Sequence, residues 1–473
     1  MAGANKMAES SVKKLIWSMG LPMVASMVLQ GIYNVVDTAF VANMEEGGAA
    51  ALLALTYAFP VQIFMIAIGV GLGIGVNALI SSYLGAGQRE RASKAAYNGI
   101  FLALCFYAIF LIFGLFFAEG FISMQAASLE DDALREQVIN YGTDYLSINC
   151  IFSFGQILFA VFERFLQGTG RTMCSTIGQI AGAVTNIVLD YVFIFPCGMG
   201  VAGAAYATII GQILSAIIDF TFHLIFVKEI DNKLKNLLPE WEIIKAIFVI
   251  GLPAMIMQAL ISINMLGINL ILGTSSDPST ITGAYGIYFK VQQIALFACF
   301  GMSNTLITIV SYNYALGKKD RVIEAAKRGI VDTLILSALI FALFEAIAVP
   351  LSQLFGMAGG DSSTAIVELC ALAIWITSPG FIFMGFSVAI QGILQGLREV
   401  FSPLIISILR LVVFIFPLVY IFLLSGNNWL VWVAFPIAEA ITAFISFFII
   451  RARLKNRLSK LGEKEPEPVQ ESL

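Results

Sequence analysis

Four oxygen-bearing side chains lie deep inside three of the apolar runs that make up most of this sequence. Asp37 lies in the first run, Asn186 and Asp190 lie one helical turn apart in the fifth, and Thr208 lies in the sixth. At a rise of 1.5 Å per residue, all four fall about 8 to 14 Å from the same end of their runs. Carboxylate, amide and hydroxyl oxygens in one layer are hard ligands that suit Na⁺, which would also neutralise the two carboxylates.

A second use of the two aspartates is also open. Two carboxyl groups held close together in a medium of low dielectric are not both readily ionised, so the pair can take up and release a proton. Either use would make Asp37 and Asp190 the ion-coupling site of a transporter. In a third alternative each aspartate only hydrogen-bonds a neighbouring helix, although Ser, Thr, Asn or Gln usually take that role in membranes.

Other polar residues also lie within the apolar runs. Asn34 shares a helix face with Asp37, three residues later, and Lys290 lies in the middle of the eighth run, so both are candidate polar residues of a cavity. Arg410 and Glu439 are expected to form an intramembrane ion pair, because a buried charge needs a partner.

The composition explains why ionisable residues in these runs stand out. The chain of 473 residues is 59% hydrophobic and only 12% charged, with a mean hydropathy of +0.88. This leaves too little polar surface for a water-soluble globular protein, so we predict an integral protein of the lipid bilayer. The six cysteines are scattered without a CxxC motif and there is one histidine, which indicates neither a disulfide framework nor a zinc site.

Apolar runs long enough to cross a membrane number twelve, six on each side of a polar connection. The predicted spans are 15–42, 52–82, 92–117, 138–165, 173–195, 201–227, 243–272, 281–312, 322–349, 365–393, 403–424 and 429–450. Of the 27 Lys and Arg residues, 24 fall at one set of span ends, whereas the opposite loops hold only Arg135. By the positive-inside rule, both termini are predicted to be cytoplasmic in a multi-pass protein of the cell (plasma) membrane.

The two halves of the chain resemble each other. Three segments of the first half match segments of the second at offsets between 228 and 231, each in the same context between spans: 14–22 with 245–253, 87–99 with 317–329, and 166–168 with 394–396. The fold class predicted is an all-α polytopic membrane protein with twelve transmembrane helices in two pseudo-symmetric six-helix bundles. In transporters built this way, substrate binds between the halves and access alternates.

The repeat also divides the chain into predicted parts. These are an N-terminal bundle over 1–227, a cytoplasmic linker over 228–242, a C-terminal bundle over 243–453 and a disordered cytoplasmic tail over 454–473.

The motifs of the first half resemble those of the multidrug and toxic compound extrusion (MATE) family. They are GLP at 20–22, VDTAFVA at 36–42, LQGTGRT at 166–172, NIVLD at 186–190 and GMGVAGAA at 198–205. The resemblance implies a cation-coupled antiporter that exports amphipathic, often cationic compounds, with two lobes around a central cavity.

The resemblance also implies roles for individual residues. In the branch of the family that couples through its N-terminal lobe, Na⁺ or a proton binds at positions that match Asp37, Asn186, Asp190 and Thr208. Pro22 matches a hinge of the first helix, since a proline frees a backbone carbonyl and bending of this helix accompanies protonation in the family.

We expect a transporter rather than an enzyme, because no catalytic cluster lies near a membrane interface. A flippase for lipid-linked saccharides, from the same broad superfamily, is the alternative function. Apart from Na⁺ or H⁺ as the coupling ion, no cofactor is expected. The expected partners are the bilayer and a small amphipathic, cationic substrate, with no nucleic acid, and the chain is expected to act as a monomer.

Overall fold

The computed structural model describes residues 7–42, 44, 48–127, 131–275, 277–358, 364–427 and 429–459. All regular structure in these ranges is helical. The helices of the first half are α1 (Val12–Ala42), α2 (Gly48–Gly85), α3 (Arg89–Phe116), α4 (Ala118–Ala126), α5 (Asp132–Ile151), α6 (Phe154–Gly168), α7 (Thr172–Ile194) and α8 (Gly200–Phe226). Those of the second half are α9 (Trp241–Leu272), α10 (Pro278–Ala315), α11 (Lys319–Ala358), α12 (Thr364–Thr377), α13 (Gly380–Gly396), α14 (Phe401–Ile408), α15 (Ile415–Leu423) and α16 (Ala434–Ser459).

Within the described ranges, ten helical stretches are each long and apolar enough to cross a membrane. Two bent helix pairs, α5 with α6 and α12 with α13, bring the number to twelve when each pair counts as one span. The bends measure 44° and 58°, and they interrupt the fourth and tenth spans, which correspond in the repeat. The predicted all-α fold with twelve membrane helices is therefore confirmed.

The last helix extends beyond the apolar run that predicted it. α16 continues to Ser459, so residues 454–459 of the predicted tail are helical, and residues 460–473 lie outside the described residues. Ion pairs hold this extension, because the Nε atoms of Arg453 and Arg457 lie 3.8 Å and 2.5 Å from the Glu399 carboxylate. The two arginine side chains, one turn apart, thus lie on one face of α16, the face toward the loop before α14.

Glycines let the two bundles approach each other at two crossings. α2 crosses α9 where Gly71 faces Gly251, and a Cβ added to Gly251 would collide with the carbonyl oxygen of Gly71. α1 crosses α10 where Gly301 packs on Val24, with 2.6 Å between an added Cβ and the Val24 Cα. Gly301 follows Gly71 at the offset of the sequence repeat, so the two crossings are equivalent in the two halves.

Hydrogen bonds between the bundles lie near one membrane face. We call the face on which α1 begins and α2 ends the basic face, because the Lys and Arg residues are concentrated there, and the opposite one the acidic face. Asn77 Nδ2 donates to Thr308 Oγ1 at 3.2 Å, and Ser311 Oγ donates to the Ala78 carbonyl at 3.0 Å. These bonds lie in the half next to the basic face, as do the five others found between the bundles.

Replacing Gly251 with Val should destabilise the protein, because the new side chain would force α2 and α9 apart where their backbones touch. Overpacking of this kind costs about 1–3 kcal/mol, so we expect a lower midpoint of thermal unfolding for the detergent-purified protein. Gly120→Ala is the control, since nothing lies within 4 Å of a Cβ added at Gly120. Equal midpoints for Gly251→Val and the wild type would contradict the close crossing.

Candidate functional site

The crossing of α7 and α8 brings two of the predicted ligands together. Gly182 and Gly211 face each other there, and a Cβ added to Gly211 would lie 2.7 Å from the carbonyl oxygen of Gly182. Small residues at a helix crossing permit this close approach. One turn beyond Gly182, Asn186 Nδ2 donates a hydrogen bond to the Thr208 hydroxyl at 3.3 Å. The side chains of Asn186 and Thr208 therefore form one polar cluster.

The packing of α1 beside α7 adds the two aspartates to this cluster. Gln179 Nε2 of α7 donates to Gln30 Oε1 of α1 at 3.2 Å, and nearer the acidic face the Phe40 ring packs against one aromatic ring of α7 and one just beyond its end. These contacts fix the relative position of the two helices on both sides of Asp37. As a result, the carboxyl groups of Asp37 and Asp190 lie close enough to interact electrostatically. The four residues predicted as ion ligands thus come from three neighbouring helices of one bundle.

Most of the carboxylate and amide oxygen atoms of this cluster are buried and lack donors. Asp190 is fully buried and Asn186 is almost so. Four oxygens accept no hydrogen bond from the described part of the chain, namely Asp37 Oδ1, Asn186 Oδ1 and both carboxylate oxygens of Asp190. The Asn186 amide lies beside Asp190, but outside hydrogen-bonding geometry. Because buried carboxylate oxygens without donors are costly, the arrangement is suited to holding a cation or a proton.

Three residues to which the sequence does not point lie at the same cluster. Tyr33 of α1 and Tyr145 of α5 are within electrostatic reach of both carboxylates. Gln62 Nε2 of α2 donates to the Tyr145 hydroxyl at 2.9 Å. Tyr33 precedes Asp37 by four residues, so helical spacing could have identified it. Tyr145 and Gln62 belong to helices that are distant in sequence, and no motif marks them.

The other predicted residues lie elsewhere. Pro22 lies in α1 nearer the basic face, and α1 is one continuous helix through it, so the hinge stays a prediction. The side chain of Asn34 lies outside the described residues. Lys290 lies in α10, in the second bundle.

The expected ion pair of the second bundle is present. Arg410 Nε lies 3.4 Å from Glu439 Oε1, and both side chains are almost entirely buried. Arg410 belongs to the π-helical segment Leu409–Val413, where the regular pattern of backbone hydrogen bonds changes. Asn264 Nδ2 donates to the Leu411 carbonyl of this segment at 2.7 Å. The pair and the Asn264 amide thus stabilise a local change of helix type.

Known proteins match this chain along nearly its whole length. The family model named MatE matches residues 22–192 and 253–421. "Multidrug export protein MepA" of Staphylococcus haemolyticus (strain JCSC1435) is 27% identical over 451 residues, which cover 95% of this chain and 96% of that protein. The MepA of Staphylococcus aureus (strain MRSA252) is 27% identical over 463 residues, which cover 96% and 98% of the two chains.

Solved structures share the fold. One, described as the "Outward-facing conformation of a multidrug resistance MATE family transporter of the MOP superfamily", has a TM-score of 0.88 at 23% identity and covers 96% of this chain and 98% of its own. A MOP superfamily transporter from Pyrococcus furiosus has a TM-score of 0.86 at 23% identity, with coverages of 97% and 99%. Because the family model matches both halves and well over half of the residues, this chain belongs to the MatE family.

Proposed function

We propose that this protein is a cation-coupled antiporter, driven by Na⁺ or H⁺, that exports amphipathic, often cationic compounds. The observation that carries the proposal is the cluster of Asp37, Asn186, Asp190 and Thr208, in which three of the four carboxylate oxygens are buried without a donor from the described chain. A pair of buried carboxylates in a membrane needs compensating positive charge, which a coupling ion supplies. Membership of the family and relatives named as multidrug export proteins support drug export as the task.

The position of the cluster suggests how ion binding reaches the substrate pathway. Asp37 and Asp190 lie on different helices, so a cation or proton between them changes the force between α1 and α7. α1 also crosses α10 of the other bundle at Gly301, so a movement of α1 changes the packing between the two bundles. In our proposal Pro22 is the hinge of this movement, because a proline removes one backbone hydrogen bond of the helix. Alternating access then follows as one bundle rocks against the other.

The orientation in the membrane is part of the proposal. The positive-inside rule makes the basic face cytoplasmic, with both termini on that side of the cell membrane. The bundles are joined by hydrogen bonds near the basic face, which supports a state closed toward the cytoplasm. The ion cluster lies in the other half, from which extracellular ions would enter.

The alternative function, flipping of lipid-linked saccharides, is not favoured. The relatives that match nearly the whole chain carry the name multidrug export protein. The family is one of transporters rather than of enzymes. We further propose a monomer that has no cofactor besides its coupling ion and binds no nucleic acid.

The coupling site is tested by removing one charge at a time. In proteoliposomes, Asp37→Asn and Asp190→Asn should each lower ion-driven export of a fluorescent cationic dye by about tenfold or more, because a neutral amide neither balances a cation nor exchanges a proton. Na⁺ and pH gradients imposed separately identify the ion. Asp320→Asn, which removes an exposed carboxylate at the start of α11, is the control. Wild-type flux in both site variants would exclude the assignment.

The hydrogen bonds between the bundles provide a test of alternating access. Thr308→Val removes the hydrogen bond that Asn77 Nδ2 donates to Thr308, which contributes about 1 kcal/mol, and should raise the population open toward the basic face about fivefold. A single cysteine introduced at Ala78, fully buried in the wild type, into a protein whose six native cysteines are replaced by alanine, should then react faster with an impermeant maleimide.

Thr333→Val is the matched control for this experiment. The Thr333 hydroxyl bonds only to the Gly329 carbonyl within α11, so its loss should leave the labelling rate unchanged. If Thr308→Val labels no faster than Thr333→Val, the contact between Asn77 and Thr308 does not hold the bundles together.

A further inference from the structure

Lys290 is a lysine inside the membrane domain for which the described chain offers no partner. It forms no ion pair and no hydrogen bond with the described residues, and none of their carboxylates lies near enough to interact with it electrostatically. Arg410, in the same bundle, differs because Glu439 balances its charge. An unbalanced cation at this depth is costly, and such residues in membrane proteins usually mark substrate or ion pathways.

The Lys290 side chain adjoins open space inside the protein. α10 is an interior helix, since 83% of its most apolar stretch is buried and none of its described large hydrophobic residues is exposed. Lys290 is nevertheless only partly buried. Gly286 lies one turn earlier on the same face, and nothing lies within 4 Å of a Cβ added there. The exposed part of Lys290 therefore faces an internal cavity and not lipid.

The cavity lies between the two bundles, on the α1 side of α10. Ile294 and Phe297 share the helix face of Lys290 and contact Gly31, lying 3.5 Å and 3.1 Å from a Cβ added there. α1 and α10 run in opposite directions through the membrane layer, so moving toward the N-terminus of α10 corresponds to moving toward the C-terminus of α1. Lys290 is one turn back from Ile294 and is therefore level with the turn of α1 that follows Gly31 and leads to Asp37.

The two bundles thus present opposite charges at nearly the same depth. The first bundle contributes the carboxyl groups of Asp37 and Asp190, and the second contributes the Lys290 ammonium. No electrostatic interaction joins Lys290 to these carboxylates, so they are too far apart to neutralise each other. The hydrogen bonds found between the bundles lie in the other half of the membrane layer, next to the basic face.

We propose that Lys290 is a binding subsite for an anionic group, so that the preferred substrates are zwitterionic amphipathic compounds. The cationic group of such a compound would lie toward Asp37 and Asp190, and its carboxylate would accept hydrogen bonds from the Lys290 ammonium. Charge-assisted hydrogen bonds of this kind are stronger than neutral ones. Opposite charges on opposite walls also fix the orientation of the bound compound. This inference rests on the export function proposed above, and it narrows the substrate class.

Tetramethylrhodamine and its methyl ester form a matched pair of probes. The free acid is a zwitterion, and the ester is the same dye as a cation without the carboxylate. Dissociation constants are measured by fluorescence anisotropy with the full chain in lipid nanodiscs, for the wild type, Lys290→Met and Lys290→Arg. Met has nearly the length of Lys without its charge, and Arg keeps the charge.

The subsite predicts a selective change. Lys290→Met should raise the dissociation constant of the free acid about tenfold or more, while that of the ester stays within about twofold. Lys290→Arg should retain the wild-type preference for the free acid. Binding of the ester also reports that the variants are folded. A change that is equal for both dyes, no change for either, or no binding of the free acid to the wild type would overturn the subsite.

Ion-driven transport of the two dyes by the wild type separates this inference from the proposed function. If binding is selective through Lys290 but neither dye is moved against a gradient, the subsite stands and the export function fails. If the wild type exports the dyes and Lys290→Met leaves their binding ratio unchanged, only the subsite fails.

Discussion

Two carboxyl groups buried together in a membrane are the constraint on which the rest of this structure depends. Asp37 and Asp190 cannot both carry uncompensated negative charge in a medium of low dielectric. The glycine crossing of α7 with α8 and the packing of α1 beside α7 nevertheless hold them near each other, next to the Asn186 and Thr208 side chains. Packing interactions elsewhere in the first bundle thus offset the electrostatic cost of this site. An exchangeable positive charge requires a site of this kind.

The two bundles have the same helix arrangement but different buried charged residues. The crossings at Gly71 and Gly301 recur at corresponding positions, as do the bends in the fourth and tenth spans. The charges do not recur. The acidic cluster belongs to the first bundle, whereas the second contains Lys290 and the pair of Arg410 with Glu439. The helix packing is therefore common to both halves. Because their buried charges differ, the cavity has acidic groups on the side of the first bundle and a basic group on the side of the second.

The sequence predicted the twelve spans well because an apolar run of about 20 residues is a strong and local signal. It did not predict the bends, because run length and hydropathy define a span without its shape, although Ser378, Pro379 and Gly380 at the second break are residues that commonly end a helix. The depth of Asp37 and Asp190 followed from the helical rise, which is also local. Their electrostatic interaction with Tyr145, whose hydroxyl accepts from Gln62, depends on which helices are neighbours, and no local pattern contains that information.

The position of the hydrogen bond between Asn77 and Thr308 indicates how the two halves of the fold diverged after duplication. At the offset of 230 that relates α2 to α10, Asn77 corresponds to Ile307 and Thr308 to Ala78, so the bonded residues lie one position from equivalence, beside the pseudo-two-fold axis. The glycine crossings lie off the axis and therefore occur twice. If the chain arose by duplication of a six-helix protein that paired with itself, the two copies of α2 would have faced each other here. Divergence after duplication left Ile307 and Ala78 at the positions that correspond to Asn77 and Thr308, so this amide–hydroxyl bond forms on one side of the axis only.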